Sequence, residues 1–297
     1  MTGPEYSIVI ESYNLAEGGD RSRFRGVVQG ALELAGRDGG EVLVTEVSGS
    51  PEFRAALARD FPGVGVVDAA GLGYDDAKMR AAQAAHGRFV LFLDGDCRPA
   101  PGWKEALLGA LRDGLSPGVG GFTRYEGGFL EGALSIMDFG FLIPREKRPL
   151  KCYASNNSGF VRAELLKHPA VGRGLRCACF LHAQQFLRRG TPVMMVPEAV
   201  VLHEPQPLVR ERTRQGYDRV AALRDDPALP EAGLLRLGAV SIPAFYLLAL
   251  LLDWSRTLRA RRALDLGLFN WLALFPLFPV LRLLDLVGMA QAFRPGR

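Results

Sequence analysis

The feature that most constrains this chain is an apolar run, Phe89–Leu93, that ends directly in Asp94-Gly95-Asp96. A run of this length and composition predicts a buried strand. Its end presents two carboxylates, and the glycine between them lets the backbone pass close to a ligand. Carboxylates are hard oxygen ligands that suit Mg²⁺ or Mn²⁺ and leave coordination positions open for phosphate oxygens. The sequence therefore predicts a divalent cation held by Asp94 and Asp96.

The first half of the chain alternates predicted strands with predicted helices. The predicted strands are Tyr6–Ile10, Glu41–Val47, Val64–Val67 and Arg88–Leu93, and the predicted helices are Ser22–Leu34 with Ser22 as its N-cap, Pro51–Arg59, Asp75–Ala85 and Trp103–Leu111. This order predicts an α/β fold, a Rossmann-like, mostly parallel twisted sheet with helices on both faces. Ligands in such sheets bind at the carboxyl ends of the strands.

Composition limits the classes of partner. The net charge is +4 and the pI is about 9.0, which fits anionic substrates or a membrane surface but is too small and dispersed for a nucleic acid polymer. The four cysteines lack paired zinc spacing, so a reduced cytosolic setting is expected.

Several segments in the right order resemble the family 2 glycosyltransferases, which have the GT-A fold. They are Ser7–Asn14, the Ala77–Ala81 helix, Gly87–Asp96, Asn156–Arg162 and Val196–Glu204. The resemblance runs from about residue 6 to about residue 220. It implies a nucleotide-sugar donor, a divalent cation on the donor diphosphate, and inversion at the anomeric carbon.

The resemblance also implies roles for individual residues. The donor-binding set is Tyr13 beside the base, Glu46, Lys78, Arg80, and Asp94 near the ribose and the metal. The metal set is Asp94, Asp96 and His203. The expected acceptor-binding set is Asn156, Asn157 and Gln184.

One stretch departs from the family pattern. The family places an acidic pair at the start of a helix about a dozen residues before a glycine, and one of those carboxylates is the expected catalytic base. Residues 176–190 occupy this position and contain no carboxylate. Three interpretations stay open: His182 is a substitute base, because imidazole titrates near neutrality; the base is Asp138 or Glu131; or transferase activity has been lost.

The last third is apolar. Residues 237–252 and 266–281 are two apolar stretches, and a basic connector, 253–262, separates them. Each stretch reaches only about 24 Å as a helix, which is short of a hydrocarbon core of ~30 Å. This predicts a membrane-associating helical pair, 231–297, after a glycosyltransferase domain, 1–225, with a hinge at Asp225–Pro230. The helices are expected to be re-entrant, interfacial or short-spanning at the cytoplasmic face, with a soluble packing element as the alternative.

The sequence thus predicts a membrane-associated, metal-dependent, inverting glycosyltransferase. Its acceptor is expected to be a lipid-linked or polymeric glycan, because a membrane-seated enzyme meets such substrates at the bilayer. A catalytically silent nucleotide-sugar-binding or scaffold protein is the alternative. A nucleotidyltransferase is disfavoured, since the N-terminal segment lacks a Gly-rich loop bearing Arg or Lys.

Overall fold

The computed structural model describes residues 3–16, 19–143, 146–170, 178–225 and 230–293. The chain divides into two compact units. The first contains Met1–Arg124 and Pro144–His203, and the second contains Tyr125–Ile143 and Glu204–Arg297. The second unit therefore begins before the boundary that the sequence places at residue 225. Most of the predicted hinge, 226–229, lies outside the described residues.

Among the described residues, eight strands form one sheet. They are β1 (Tyr6–Glu11), β2 (Glu41–Glu46), β3 (Val64–Asp68), β4 (Phe89–Asp94), β5 (Cys97–Pro99), β6 (Gly118–Tyr125), β7 (Asn157–Val161) and β8 (Met194–His203). The strand order is β3-β2-β1-β4-β7-β6-β8-β5. β3, β2, β1 and β4 are mutually parallel, whereas β7 pairs antiparallel with both β4 and β6. The α/β fold is confirmed, and the sheet is mixed rather than mostly parallel once the later strands are included.

The helices follow the alternation that the sequence predicts. They are α1 (Tyr13–Ala16), α2 (Arg21–Gly36), α3 (Pro51–Asp60), α4 (Tyr74–Ala84), α5 (Trp103–Arg112), α6 (Phe129–Phe139), α7 (Arg162–Lys167), α8 (Cys179–Arg188), α9 (Leu208–Asp225), α10 (Ile242–Ala263) and α11 (Leu268–Ala292). Helix α3 begins where the Ser50 hydroxyl accepts a hydrogen bond from the Phe53 amide at 3.1 Å. The prediction that Ser22 caps α2 is wrong, because the cap is Asp20, whose carboxylate accepts from the Ser22 amide at 2.7 Å.

The core of the first unit lies against the sheet. Ile8, Ile10, Leu91 and Leu93, on the adjacent strands β1 and β4, are completely buried. Strands buried on both faces give the continuous apolar runs seen in the sequence. The polar residues that follow these runs are therefore held at fixed positions by a rigid sheet edge.

The second unit is helical and includes α6, α9, α10 and α11, with short 3₁₀ helices at Gly140–Leu142 and Pro230–Ser241. Two segments, Ala232–Ala263 and Leu268–Ala292, are long and apolar enough to cross a membrane by length and composition. The predicted apolar helical pair is thus present, and its two helices are longer than the apolar stretches in the sequence.

Candidate active site

The candidate site lies where β1, β4 and β8 end. Glu11 and Asp94 are register partners at the ends of the parallel neighbours β1 and β4. Strand β5 begins directly after Asp96 and pairs with the end of β8, which places Cys97 opposite His203. Backbone pairing therefore brings together residues that are more than one hundred positions apart in the sequence.

Gly95 is required by packing at this corner. A Cβ atom on Gly95 would lie 2.5 Å from the ring of Phe24 and 2.9 Å from the carbonyl oxygen of Glu11. The sequence attributes this glycine to the approach of a ligand, whereas the structure shows the approach of the protein's own atoms. A side chain at Gly95 would displace both flanking carboxylates.

Asp94 is held by a buried ion pair. Lys78, from α4, places its Nζ 2.5 Å from Asp94 Oδ1, and both side chains are 4% exposed. The Tyr74 hydroxyl lies 2.9 and 2.8 Å from the two carboxylate oxygens, and Lys78 also donates to the Ser155 carbonyl at 3.0 Å. Lys78 thus reaches the predicted site, where it fixes Asp94.

Four potential ligand atoms, from Asp94, Asp96, Cys97 and His203, lie within 4.8 Å of one another. His203 Nε2 is 3.7 Å from Asp96 Oδ1, and Asn14 donates to the other Asp96 oxygen at 3.0 Å. The carboxylate oxygens and the imidazole nitrogen are ligands that Mn²⁺ accepts. The three residues that the resemblance implies as metal ligands therefore lie together, at a spacing that one cation could span.

The charges of the site also fit a cation. Burial, opposed by His203 and reinforced by the charge of Asp94, raises the pKa of Asp96. Burial and the charges of Asp96 and Asp94 raise the pKa of the Cys97 thiol well above its usual value, which makes it a poor ligand because a thiolate is required. A divalent cation bound to the carboxylates and His203 would supply the positive charge that these groups lack.

Glu11 is a site residue that the sequence did not single out. It is completely buried, and one of its oxygens accepts a hydrogen bond from the Tyr13 amide. Its Oε2 has no hydrogen-bond partner among the described residues. Burial and the neighbouring Asp94 charge raise its pKa well above the usual value. The sequence feature that could have indicated Glu11 is its place as a glutamate at the end of a mostly apolar strand.

The other predicted donor residues have different positions. Tyr13 begins α1, and its ring is edge-on to the ring of Tyr74 with the centroids 6.3 Å apart. Glu46 is buried and accepts hydrogen bonds from the Ser48 amide at 2.7 Å and from Arg54 Nε at 3.1 Å. Arg80 is exposed on α4, whereas Lys78, two residues earlier, is buried. Residues two apart on a helix do not share a face, so the two side chains point in different directions. Among these residues, Tyr13 lies beside the Asp94 network and Arg80 points away from the buried Lys78.

The three predicted acceptor residues make hydrogen bonds within the protein. Asn157 is completely buried, accepts from Trp103 Nε1 at 2.8 Å and donates to the Ala199 carbonyl at 3.0 Å. Asn156 accepts from the Thr123 hydroxyl at 2.9 Å, and Gln184 donates to the Lys151 carbonyl at 2.8 Å. These contacts link strands, helices and loops of the first unit, and the acceptor-binding role of the three amides stays a prediction.

His182 is unsuited to be the catalytic base. It is buried, with its Nδ1 2.6 Å from the Tyr153 hydroxyl and its Nε2 2.7 Å from the His168 carbonyl. The rings of Phe160 and Phe186 pack against it. Burial lowers its pKa to about 4. Both ring nitrogens are occupied, so no nitrogen is left to accept a proton from an acceptor hydroxyl.

The alternative bases in the second unit are also occupied. Asp138 accepts hydrogen bonds from Arg212 at 2.5 and 2.6 Å and from the Tyr125 hydroxyl at 3.0 Å. Glu131 accepts from the Gly128 amide at 2.8 Å and thereby caps α6. The contacts of both carboxylates are those of structural residues.

Asp75 is a buried carboxylate with a raised pKa, and it lies beside the helix where the family pattern places its acidic pair. It is 5% exposed in the first turn of α4, and its Oδ2 accepts a hydrogen bond from the Ala178 amide at 3.1 Å. Ala178 directly precedes α8, the helix at whose start the family pattern expects an acidic pair. Burial is the main cause that raises the pKa of Asp75 to about 6. A carboxylate from α4 thus lies next to the segment that has none of its own.

Comparison with known proteins agrees with this geometry. Residues 41–168 match the family model for glycosyl transferase family 2. No curated protein matches the sequence. The match covers the segment that carries Lys78, Asp94 and Asp96, and it confirms the resemblance that these motifs indicate.

Solved structures share the fold at low identity. Mannosyltransferase PcManGT from Pyrobaculum calidifontis, in complex with GDP-Man and Mn²⁺, has a TM-score of 0.62 and 14% identity, over 99% of this chain and 88% of that chain. GalNAc-T7 with UDP, GalNAc and Mn²⁺ has a TM-score of 0.54 and 14% identity, over 68% of this chain and 44% of that chain. Glucosyl-3-phosphoglycerate synthase from Mycobacterium tuberculosis, in complex with phosphoglyceric acid, has a TM-score of 0.51 and 20% identity, over 75% of this chain and 80% of that chain. The fold is therefore GT-A.

Proposed function

We propose that this chain, a glycosyltransferase of family 2 by its sequence match and its GT-A fold, transfers a sugar from a nucleoside-diphosphate donor to an acceptor hydroxyl with inversion. The observation that carries the proposal is the excess of buried carboxyl groups at the strand ends. Glu11, Asp94 and Asp96 at the ends of β1 and β4 and the nearby Asp75 in the first turn of α4 are all buried, and Lys78 is the buried lysine among them. Such an excess is costly unless a cation joins it.

Asp94, Asp96 and His203 are the residues that would hold the divalent cation. When bound there, Mg²⁺ or Mn²⁺ would neutralise the donor diphosphate and make it a better leaving group. Two of the structures with this fold were solved with Mn²⁺ and a nucleotide or nucleotide sugar, which supports this assignment. Lys78 and Tyr74 would orient Asp94, and Tyr13 would lie beside the donor base.

Asp75 is our candidate for the general base. It would accept the proton of the acceptor hydroxyl while the hydroxyl oxygen attacks the anomeric carbon and the bond from that carbon to the diphosphate oxygen breaks. A general base works best when its pKa lies near the operating pH, and the raised pKa of Asp75 meets that condition. Its position next to Ala178 supports a substitution for the acidic pair that residues 176–190 lack.

We further propose that the acceptor is a lipid-linked or polymeric glycan at the cytoplasmic face of a membrane. The two apolar helices of the second unit support membrane association. Nucleotide sugars are cytosolic, so the catalytic site must face that compartment.

A second candidate is a nucleotide-sugar-binding protein without transferase activity. The lack of any carboxylate in residues 176–190 is the observation that favours it. Donor binding would then be retained, and Asp75 would be a buried carboxyl group with no chemical role.

A screen of nucleotide sugars by thermal shift, with Mn²⁺ and with chelator, tests the proposal. A cation-dependent stabilisation by one donor is expected, followed by hydrolysis of that donor or its transfer in the same samples. Binding without turnover would favour the second candidate. No stabilisation by any nucleotide sugar would contradict both.

A further inference from the structure

Helix α11 has an inverted distribution of charge. Within its described residues, 268–292, the exposed face carries no charged side chain. Its large exposed residues include Phe269 at 86% and Val280 at 60% exposure. The two charged residues of the helix, Arg282 and Asp285, are instead buried, with only 6% and 1% of their surface exposed. A helix in water has the opposite arrangement, with its polar face outward.

Helix α10 repeats this arrangement over most of its length. Leu247, Leu251 and Leu258 are 58%, 59% and 65% exposed and recur at helical spacing, whereas Asp253 is completely buried. The exposed face becomes basic only at the end of the helix, where Arg259, Arg261 and Arg262 lead into the connector to α11. A continuous apolar surface therefore ends in a cluster of arginines.

The buried charges have partners inside the second unit. Arg282 donates to both oxygens of Asp253, at 2.8 and 2.9 Å, and to Asp285 at 2.5 Å. Arg212 of α9 donates to both oxygens of Asp138 of α6. With the contact of Arg212 to Asp285, these ion pairs join α6, α9, α10 and α11. The charged groups of α10 and α11 thus face the interior of the unit, whereas the outer faces of these two helices are largely apolar.

The helices around the hairpin limit how deeply it can enter a bilayer. Helix α9 packs so closely on α11 that a Cβ atom on Gly288 would lie 1.7 Å from the Thr213 carbonyl oxygen, and one on Gly216 would lie 2.0 Å from the Asp285 carbonyl oxygen. Helix α9 carries eight charged residues among eighteen. A helix so rich in charge is excluded from hydrocarbon. The part of α11 from Asp285 onward must therefore lie at the level of water or lipid headgroups.

The remaining part of α11 is too short to span. Residues 268–284 extend about 25 Å at ~1.5 Å per residue, against a hydrocarbon core of ~30 Å. The antiparallel α10 lies beside this part, since Trp254 donates to the Phe275 carbonyl and Trp271 donates to the Thr257 carbonyl. A crossing would therefore carry the arginines at the end of α10 through the membrane.

We propose that the α10–α11 hairpin docks on the surface of a lipid bilayer, lying within one leaflet without crossing it. The exposed apolar faces of α10 and α11 enter the acyl region, and Arg259, Arg261 and Arg262 bind anionic headgroups. This inference rests on the membrane association in the proposed function and is independent of the transferase chemistry. A second copy of this chain would bury the same apolar face but would supply no anionic headgroups to Arg261 and Arg262.

Vesicle binding of the full chain tests the docking surface. Co-sedimentation with phosphatidylcholine vesicles is expected, and it should strengthen as phosphatidylglycerol is added. The double variant Phe269→Glu/Val280→Glu should reduce binding by a factor of about ten or more, because two exposed apolar side chains no longer enter the acyl region. Val209→Glu is the matched control, since Val209 is a 63% exposed apolar residue of α9 outside the hairpin, and it should bind like the wild type.

Labelling with a membrane-impermeant maleimide tests the topology. Arg262→Cys marks the connector, and Arg59→Cys marks an exposed position of the first unit. In sealed inverted membrane vesicles both cysteines should be labelled from outside, with the modified peptides identified by mass spectrometry. Labelling of Arg262→Cys only after detergent would show that the hairpin spans and would overturn the proposal. A dimer that ignores vesicles and dissociates in the double variant would overturn it in favour of a second copy. Donor hydrolysis in the same preparations reports separately on the transferase site.

Discussion

The two units of this chain bury charge in opposite ways. At the candidate site of the first unit, the four buried carboxyl groups of Glu11, Asp75, Asp94 and Asp96 accompany one buried lysine, Lys78. In the helical unit, three aspartates and three arginines form one network of ion pairs: Asp138, Asp253 and Asp285 with Arg212, Arg256 and Arg282. The first arrangement lacks positive charge, and the second is balanced within itself.

This difference separates a binding site from a framework. A balanced buried network needs no ligand, and removing one member leaves a partner charge unpaired. An unbalanced cluster is costly without a ligand, which makes it a candidate for a binding site. Charge removal is therefore expected to affect function in the first unit and stability in the second.

The largest effect is expected from Asp96→Asn. In the proposed function this change removes a charged cation ligand while keeping the shape of the side chain, so donor turnover should fall by a factor of ~10³ or more, since a cation supplies several kcal/mol of charge stabilisation. Burial raises the pKa of Asp96 in the folded state, so the ionised carboxylate destabilises the fold at neutral pH. A neutral asparagine removes that cost, and the midpoint of thermal unfolding should therefore not decrease. Asp113→Asn, at an exposed position, is the control and should behave like the wild type. Wild-type turnover in Asp96→Asn would remove Asp96 from the site.

Asp75→Asn is expected to lower turnover by a factor of ~10² to 10⁴, the usual range for loss of a general base. Donor affinity should change little. In the wild type, turnover should fall as pH drops below about 6, because the base must be ionised to accept a proton. The adjacent exposed Asp76→Asn is the matched control and should retain full turnover.

The same variant should gain stability at alkaline pH. The pKa of Asp75 rises from 3.8 in the unfolded chain to about 6 in the folded protein, so the folded state loses relative stability as pH increases through this range. Asn removes that cost, up to about 3 kcal/mol at pH 8, and still accepts the Ala178 hydrogen bond. Denaturant unfolding at pH 8 measures the gain. An Asp75→Asn variant that is less stable and fully active would assign Asp75 to the framework.

In the helical unit, Arg212→Leu is expected to cost about 3–5 kcal/mol, because Asp138 would remain buried beside Asp285 without its partner. Cation-dependent donor binding should survive at temperatures where the protein is folded. Arg25→Leu removes a solvent-exposed pair with Asp60 and should lower the free energy of unfolding far less. Equal losses in the two variants, measured by chemical unfolding, would contradict the distinction between the networks.

The smallest effect is expected from His182→Phe. The ring would still pack against Phe160 and Phe186, but Tyr153 and the His168 carbonyl would lose their partner, at a cost of about 1–3 kcal/mol. Turnover per folded molecule should stay within about twofold of wild type, since a small change in framework packing leaves the reacting groups in place. A drop by a factor of ~10² or more would restore His182 as the base.

The elements of the fold could be predicted because their signals are local. Apolar runs, the Ser50 cap and the Pro51 start of α3 lie within a few residues of the structures that they determine. The antiparallel half of the sheet was missed because pairing of β7 with β4 joins residues about seventy positions apart, and no local pattern specifies it.

The site was predictable to the same extent. Asp94 and Asp96 follow one strand directly, so the sequence predicts them, whereas Glu11 and Asp75 join the candidate site only through strand register and the placement of α8. His182 was proposed as a base because its residue type suited the chemistry. Its burial against Tyr153 and Phe186 depends on tertiary packing that the sequence does not display.

The most direct test of the charge imbalance is a binding measurement on the wild-type chain. Free Mn²⁺ is counted by electron paramagnetic resonance during a titration, with and without GDP or UDP. The account predicts one Mn²⁺ per chain and a nucleotide that binds more tightly with the ion than with chelator, and by reciprocity the nucleotide tightens the ion equally. Asp96→Asn should abolish both effects. Equal nucleotide affinity with Mn²⁺ and with chelator would contradict the claim that the buried carboxylates form a cation site.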